Sequence, residues 1–197
     1  MACVILAALA IVLVQNAGKA DESVLPQYVE KLHSTNSIER NGAIHAVQRQ
    51  DSNAIKYLID ILSGDSPIEV KVDAARMLGR YRSHDCVKAL IDNLELEKQD
   101  RQLLTGLVTD EEYASLLRPI STALEQIGSF AIPQLIQAIA TNDNIQARGQ
   151  VLTVLTHIDG DKDIVELRLQ KALKAEKDSQ KQARLKDALK ALSAISI

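Results

Sequence analysis

The segment from Asp159 to Asp163 comes closer to a metal-binding motif than any other stretch of this chain. Its sequence, DGDKD, places three carboxylates at alternate positions, as at the start of a calcium-binding loop. The sixth position of such a loop is Ile164 here instead of glycine, and the twelfth is Gln170 instead of a bidentate glutamate. The pattern therefore favours a turn between two helices over a calcium site.

The histidines give no sign of a metal centre or a catalytic base. They stand singly in the sequence, at His33, His45, His84 and His157, and none has a second histidine or cysteine at metal-ligand spacing. The chain also contains no Gly-x-Ser-x-Gly turn and no glycine-rich phosphate loop. We therefore predict no catalytic residues, no metal ligands and no cofactor.

The composition argues against nucleic acid as a partner. The chain has 197 residues, of which 25% are charged, and its formal net charge is -3. Proteins that bind nucleic acid usually carry a clear basic excess. The chain has no Trp and one Phe, so it also has few aromatic rings on which exposed bases could stack.

The first 20 residues predict an export signal. Ala2 to Val14 is an uninterrupted apolar run of 13 residues, shorter than the roughly 20 residues of a membrane-spanning helix. Small residues around Lys19 precede the first acidic side chains, so we expect cleavage after Ala20. The mature chain, residues 21–197, would then have no membrane span and be secreted or periplasmic. An uncleaved anchor and a buried N-terminal helix of a cytosolic protein remain open alternatives.

One nine-residue helical sequence, the repeated segment, recurs with variations along the rest of the chain. It occurs as VLPQYVEKL (24–32), AIKYLIDIL (54–62), CVKALIDNL (86–94) and AIPQLIQAI (131–139). In each copy, apolar residues at i, i+3, i+4 and i+7 predict one buried stripe on an amphipathic helix. The stripes begin 30, 32 and 45 residues apart. Such self-similarity is typical of a solenoid, in which each unit buries its apolar face by stacking on its neighbours.

Each copy is the second helix of a predicted pair. In the clearest pair, a first helix from Ile68 to Leu78 ends at Gly79, and the second runs from Cys86 to Leu94. Cys86 occupies the position of an alanine in the sibling copies and is predicted to be a small buried residue, not a reactive thiol. Later helices are predicted from the capping box at 109–112 to about Gly128 with a bend at Pro119, over 145–158 and 164–174, and over 179–194.

The longest interval, between the third and fourth copies, contains an insertion, residues 95–108. This insertion includes the apolar sequence LLTGLV (103–108). We expect it to fold back over the core, and a loop that binds a partner is the open alternative. The lysine-rich last helix is predicted to be a solvated capping face, with membrane-surface or nucleic-acid binding as the weaker alternative.

Two segments resemble the HEAT-like repeat. They are VKVDAARMLGRYRSHDCVKALIDNL (70–94) and ALEQIGSFAIPQLIQAI (123–139). They are most similar to the short bacterial form of the repeat, which is related to phycobilin lyase subunits. The resemblance implies an all-α fold: a right-handed α-solenoid of about four HEAT-like helix pairs plus a C-terminal capping helix. The implied units are a half repeat at 24–33, pairs at 37–63, 67–97, 109–140 and 144–175, and the cap at 178–195.

The resemblance also implies a function. In this family the second helices line a concave surface that binds partner proteins, so we expect a monomeric scaffold or adaptor for protein-protein interaction, without catalytic activity. The second-helix residues expected on that surface are Lys56, Tyr57, Asp60, Lys88, Asp92, Gln134 and Gln137. The alternative is a subunit of a bilin-lyase-like enzyme that cradles a tetrapyrrole. A HEAT-like metal hydroxylase is disfavoured, because the chain has none of the His-Glu pairs of those enzymes.

Overall fold

The computed structural model describes residues 25–34, 36–48, 54–98 and 118–194. Within these ranges all regular secondary structure is helical and no β-strand occurs. The predicted all-α class is therefore confirmed for the described residues. The chain divides into two compact units, residues 1–54 and 55–197.

The first unit contains two helices that pack against each other. They are α1 (Leu25–Lys31) and α2 (Ser37–Gln48). The side chain of Asn36 accepts a hydrogen bond from the backbone N–H of Ile38 at 3.0 Å, which satisfies a free donor at the start of α2. Leu25 and Leu32, the outer residues of the faint first stripe, are buried.

The second unit contains the clearer copies of the repeat. Its α-helices are α3 (Ala54–Ser63, whose first residue closes the first unit), α4 (Ile68–Tyr81), α5 (Val87–Asp92), α6 (Pro119–Ile127), α7 (Ile132–Thr141), α8 (Ile145–Asp159), α9 (Lys162–Ala175) and α10 (Ser179–Ala194). Short 3-10 turns occur at His84–Cys86, Leu94–Lys98 and Gly128–Ala131. The bounds of α8, α9 and α10 agree with the predicted helices.

The helices of the second unit pack in a definite order. Among the predicted first helices, α4 packs against α6 and α6 packs against α8. Among the predicted second helices, α5 packs against α7. The last helix, α10, contacts α7, α8 and α9. First helices therefore contact first helices, and second helices contact second helices, across the middle of the unit.

The pattern of buried residues follows the repeated segment. The leucines at its centre, Leu58, Leu90 and Leu135, have no exposed surface. The small first residue of the repeated segment is also fully buried in these three copies, at Ala54, Cys86 and Ala131. In α3, however, Ile59 is half-buried while Ile61 is buried. The buried face of α3 is therefore rotated relative to the predicted stripe.

Gly79 does not end its helix, contrary to the prediction. Helix α4 continues to Tyr81, and Arg82 takes the left-handed conformation after it, with φ of 50°. A Cβ atom on Gly79 would lie 2.7 Å from the Cα of Ala123 in α6. The glycine is therefore needed because the backbones of α4 and α6 approach closely at this point.

Two further boundaries differ from the prediction or are only partly described. The second helix of the clearest pair is shorter than predicted, because 3-10 turns flank α5 on both sides. Helix α6 begins at Pro119 and ends before Gly128, where φ is 70°. The capping box at 109–112 lies outside the described residues. In the insertion, Leu96 is buried, and the apolar sequence LLTGLV, which is expected to fold back over the core, lies outside the described residues.

The predicted export signal, residues 1–20, also lies outside the described residues. Of the helices that are described, none combines the length and the hydrophobicity that crossing a bilayer requires.

Candidate interaction surface

The predicted interaction residues of α3 lie at or near the surface. Lys56 and Asp60 are exposed, and Tyr57 is half-buried. Lys56 and Asp60 are therefore accessible to solvent, and Tyr57 is partly so.

The predicted residues of α5 pair with each other. Lys88 and Asp92, one helical turn apart, form a salt bridge while their side chains remain 78% and 55% exposed. Exposed pairs of this kind contribute roughly 0–1 kcal/mol to stability. The pair therefore remains accessible, but each charge already has a partner on its own helix.

Gln134 on α7 has a structural contact that the sequence pattern does not reveal. Its Nε2 atom lies 2.9 Å from Nε2 of His84 and donates a hydrogen bond to the His84 carbonyl oxygen at 3.2 Å. His84 lies in the 3-10 turn before α5, so these contacts connect two successive repeats. Gln134 therefore helps to hold α5 and α7 together, although it was predicted only as a surface residue.

Gln137 lines an open groove of about 320 Å³. One wall is formed by α7, and the other is formed by α10 together with the end of α9. The lining residues are Pro133, Ile136, Gln137, Ala140, Thr141, Ala172, Glu176, Lys181 and Leu185. We call this feature the α7–α10 groove. The sequence pattern predicts an exposed surface on α7, which carries Gln137, but it does not predict the wall formed by α9 and α10, because it identifies α10 only as a cap.

The two charged residues of the α7–α10 groove differ in their local bonding. The carboxylate of Glu176 accepts hydrogen bonds from the backbone N–H groups of Lys177 and Asp178, at 2.8 and 3.0 Å. The bond from Asp178 in particular lowers the pKa of Glu176. The ammonium of Lys181, within the described part of the chain, forms no salt bridge. Its positive charge nevertheless interacts electrostatically with the nearby carboxylates of Glu176 and Asp178.

Arg184 fixes α10 against the end of α7. Its guanidinium donates hydrogen bonds to the carbonyl oxygens of Ala140 and Thr141, at 3.2 and 3.0 Å, and pairs with Asp143. The last carbonyl groups of a helix have no partner within the helix. Arg184 thus satisfies these acceptors from a distant part of the sequence, and it sets the spacing between the two walls of the groove.

A second polar cluster connects the Leu94–Lys98 turn with α6 and α8. The carboxylate of Glu97 accepts a hydrogen bond from the backbone N–H of Ser121 at 2.5 Å, near the start of α6. Burial raises the pKa of Glu97. Next to it, Glu125 accepts from Arg118 at 3.2 Å and lies 2.8 Å from Nδ1 of His157. No repeat or motif in the sequence indicates this cluster.

The carboxylates of the calcium-like segment have separate structural roles. Arg168 donates to both oxygens of Asp159, at 2.8 and 3.1 Å. Asp161 caps α9 by accepting from the backbone N–H of Asp163 at 2.8 Å. The prediction of a turn between helices is therefore confirmed. Among the described residues, no group of three His, Cys, Asp or Glu side chains could hold a metal ion.

Cys86 is a buried residue with an unreactive environment. Its Sγ atom donates to the carbonyl oxygen of Ser83 at 2.9 Å. Burial raises the pKa of the thiol to about 11. Because the thiolate is the reactive form, the prediction of a small packing residue is confirmed.

Comparison with known proteins adds no family assignment. No protein-family model matches the chain, and no curated protein matches it significantly.

Proposed function

We propose that this chain is an exported, HEAT-like scaffold or adaptor that binds a partner protein through the face of its second helices. In this proposal the helix pairs form a right-handed α-solenoid of about four pairs with α10 as its cap. The mature protein is a monomer without catalytic activity.

The packing order of the second unit carries the proposal. In a solenoid each repeat contacts its neighbours in sequence order. The contacts of α4 with α6, of α6 with α8 and of α5 with α7 are those that successive stacked pairs would make. The fully buried small residue at the start of the three clear copies, Ala54, Cys86 and Ala131, supports the same register.

The surface of the second helices supports protein binding. Lys88, Asp92 and Gln137 are exposed on α5 and α7, which are in contact with each other. The α7–α10 groove adjoins them and offers both apolar and polar side chains. Protein interfaces combine apolar and polar side chains, and this surface offers both.

Position-specific photocrosslinking in cells of the source organism tests the proposal. A photoreactive amino acid replaces Gln137 or Lys88 on the second helices, and Arg80, exposed on the first helix α4, serves as the control. We expect discrete crosslinked protein adducts from Gln137 and Lys88 and none from Arg80. Adducts that form equally at all three positions, or at none, would contradict the proposed interaction face.

Export is tested on the same full-length chain. We expect the protein in the periplasmic or culture fraction, with Asp21 as its N-terminal residue in mass spectrometry. A cytosolic protein that retains residues 1–20 would refute this part of the proposal and leave the interaction face unaffected.

A further inference from the structure

We propose that the α7–α10 groove binds an acidic, amphipathic segment of the partner, with an aliphatic side chain in the groove and a carboxylate at Lys181. This inference rests on the proposed function and assigns the chemistry of the partner to one part of the surface.

The walls of the groove provide a site for an aliphatic side chain. Among its lining residues, Ala140 and Leu185 are buried, and Ile136 and Ala172 are half-buried. A volume of about 320 Å³ is at the lower limit of small-molecule sites, which are roughly 300–1,000 Å³. A groove of this size and openness suits one or two side chains of a peptide better than an enclosed cofactor.

The charge of the groove selects an acidic segment. Lys181 has no salt-bridge partner in the described ranges, whereas Glu176 is held by two backbone N–H groups. Residues 171–194 contain seven Lys and Arg against three Asp and Glu, in a chain whose net charge is -3. A peptide carboxylate would therefore meet a cation that forms no salt bridge among the described residues, in a region where basic side chains outnumber acidic ones.

The rest of the predicted surface offers less for a charged partner. Lys88 and Asp92 neutralise each other, and Gln134 is bonded to His84. The groove is also held in shape before any partner arrives, because Arg184 joins α10 to the last turn of α7. A preorganised groove loses less conformational freedom on binding than a mobile one.

The test is selection of a displayed library of random dodecapeptides on the immobilised full-length chain. We expect enriched peptides to carry Asp or Glu next to Leu, Ile or Met. Lys181→Glu should weaken their binding about tenfold or more, since a like charge replaces the attractive one. Lys190→Glu, on the same helix and exposed, is the matched control and should leave binding within about twofold.

Lys181→Glu should not act by unfolding the chain. Residue 181 lies in the first turn of α10, where Asp178 already accepts from its backbone N–H at 2.9 Å. An acidic residue in the first turn of a helix is favourable. A peptide whose acidic residues are replaced by lysine should bind Lys181→Glu more tightly than it binds the unchanged chain, which only a direct charge contact explains.

Each other outcome has a definite meaning. Enriched peptides that bind the two glutamate variants equally would overturn the groove inference and leave the interaction face in place. A selection that enriches no peptide would count against both proposals. Binding to phosphatidylglycerol vesicles that Lys181→Glu abolishes, or self-association that it abolishes, would assign the groove to a membrane surface or to a second copy and overturn the inference.

Discussion

Two glycines in helices predict opposite effects of the same substitution. A Cβ on Gly79 would lie 2.7 Å from the Cα of Ala123 and 2.9 Å from its Cβ, both closer than van der Waals contact. A Cβ on Gly149, in α8, would meet no atom within 4 Å. Gly79→Ala is therefore the test of close packing between α4 and α6, and Gly149→Ala is its matched control.

The expected magnitudes follow from two opposing terms. Alanine is favoured over glycine inside a helix by about 1 kcal/mol, and this gain applies at both positions. At Gly79 the added methyl group meets backbone atoms that move only if α6 moves, and overpacking of this kind costs about 1–3 kcal/mol. We expect Gly79→Ala to lower the free energy of unfolding by about 1 kcal/mol and Gly149→Ala to raise it by about 0.5–1 kcal/mol.

Urea unfolding followed by far-UV circular dichroism measures both variants under the same conditions. Agreement of the two slopes with that of the unchanged chain would show that the same transition is compared. If Gly79→Ala proved as stable as Gly149→Ala, the close approach of α4 and α6 would be refuted, and with it the packing of successive first helices.

Three further predictions concern other contacts of the second unit. Leu90→Ala removes a fully buried side chain and should cost about 2–5 kcal/mol, whereas Asp92→Ala should cost under about 0.5 kcal/mol; equal melting temperatures would refute the assigned buried face. Arg184→Met should cost about 1–3 kcal/mol in urea unfolding, because two helix-end carbonyl groups lose a charged donor; no change would mean that water replaces it. The pKa of Glu97 is raised from 4.5 by burial, so the folded chain binds more protons than the unfolded chain just above pH 4.5 and Glu97 lowers stability as the pH rises through that window. Unfolding at pH 7 and near pH 4.5 should therefore show Glu97→Gln gaining stability relative to the unchanged chain at pH 7, and a pH-independent difference would refute the burial effect.

Local patterns predicted most of the described helices. The i, i+3, i+4, i+7 stripe found the three clear second helices, and its central leucines are fully buried. The first helix of the clearest pair begins at Ile68, and α6 ends just before Gly128, both as expected. These signals work because they depend on the conformational preference of a residue and its near neighbours.

The errors occur where a distant part of the chain decides the role of a residue. Gly79 has the composition of a helix stop, yet its contact with Ala123, 44 residues away in sequence, explains its presence inside α4. Glu97 and Ser121 carry no motif, because their bond joins the start of the insertion to α6, 24 residues further along the chain. Such contacts leave no periodic trace in the sequence.

The position of α10 differs from the position expected in a regular repeat array, and this difference matters most for the proposed function. A regular repeat would place α9, the second helix of the fourth predicted pair, beside α7. Instead α10 makes the extensive contact with α7. The residues give a physical reason: α9 buries only Val165 and Leu169, while Leu167 on its outer face is 67% exposed.

Helix α10 has what α9 lacks for packing against α7. It buries Leu185, Ala188 and Leu192 along one face, and Arg184 reaches the carbonyl groups at the end of α7. The apolar face buries surface against its neighbours, and Arg184 donates hydrogen bonds to carbonyl oxygens that have no donor within α7. Helix α10 therefore packs against α7 more favourably than α9 would. This exchange of helices places Lys181 opposite Gln137 and thereby forms the groove. The small buried face of α9 is consequently the reason why a groove forms between α7 and α10 at this end of the chain.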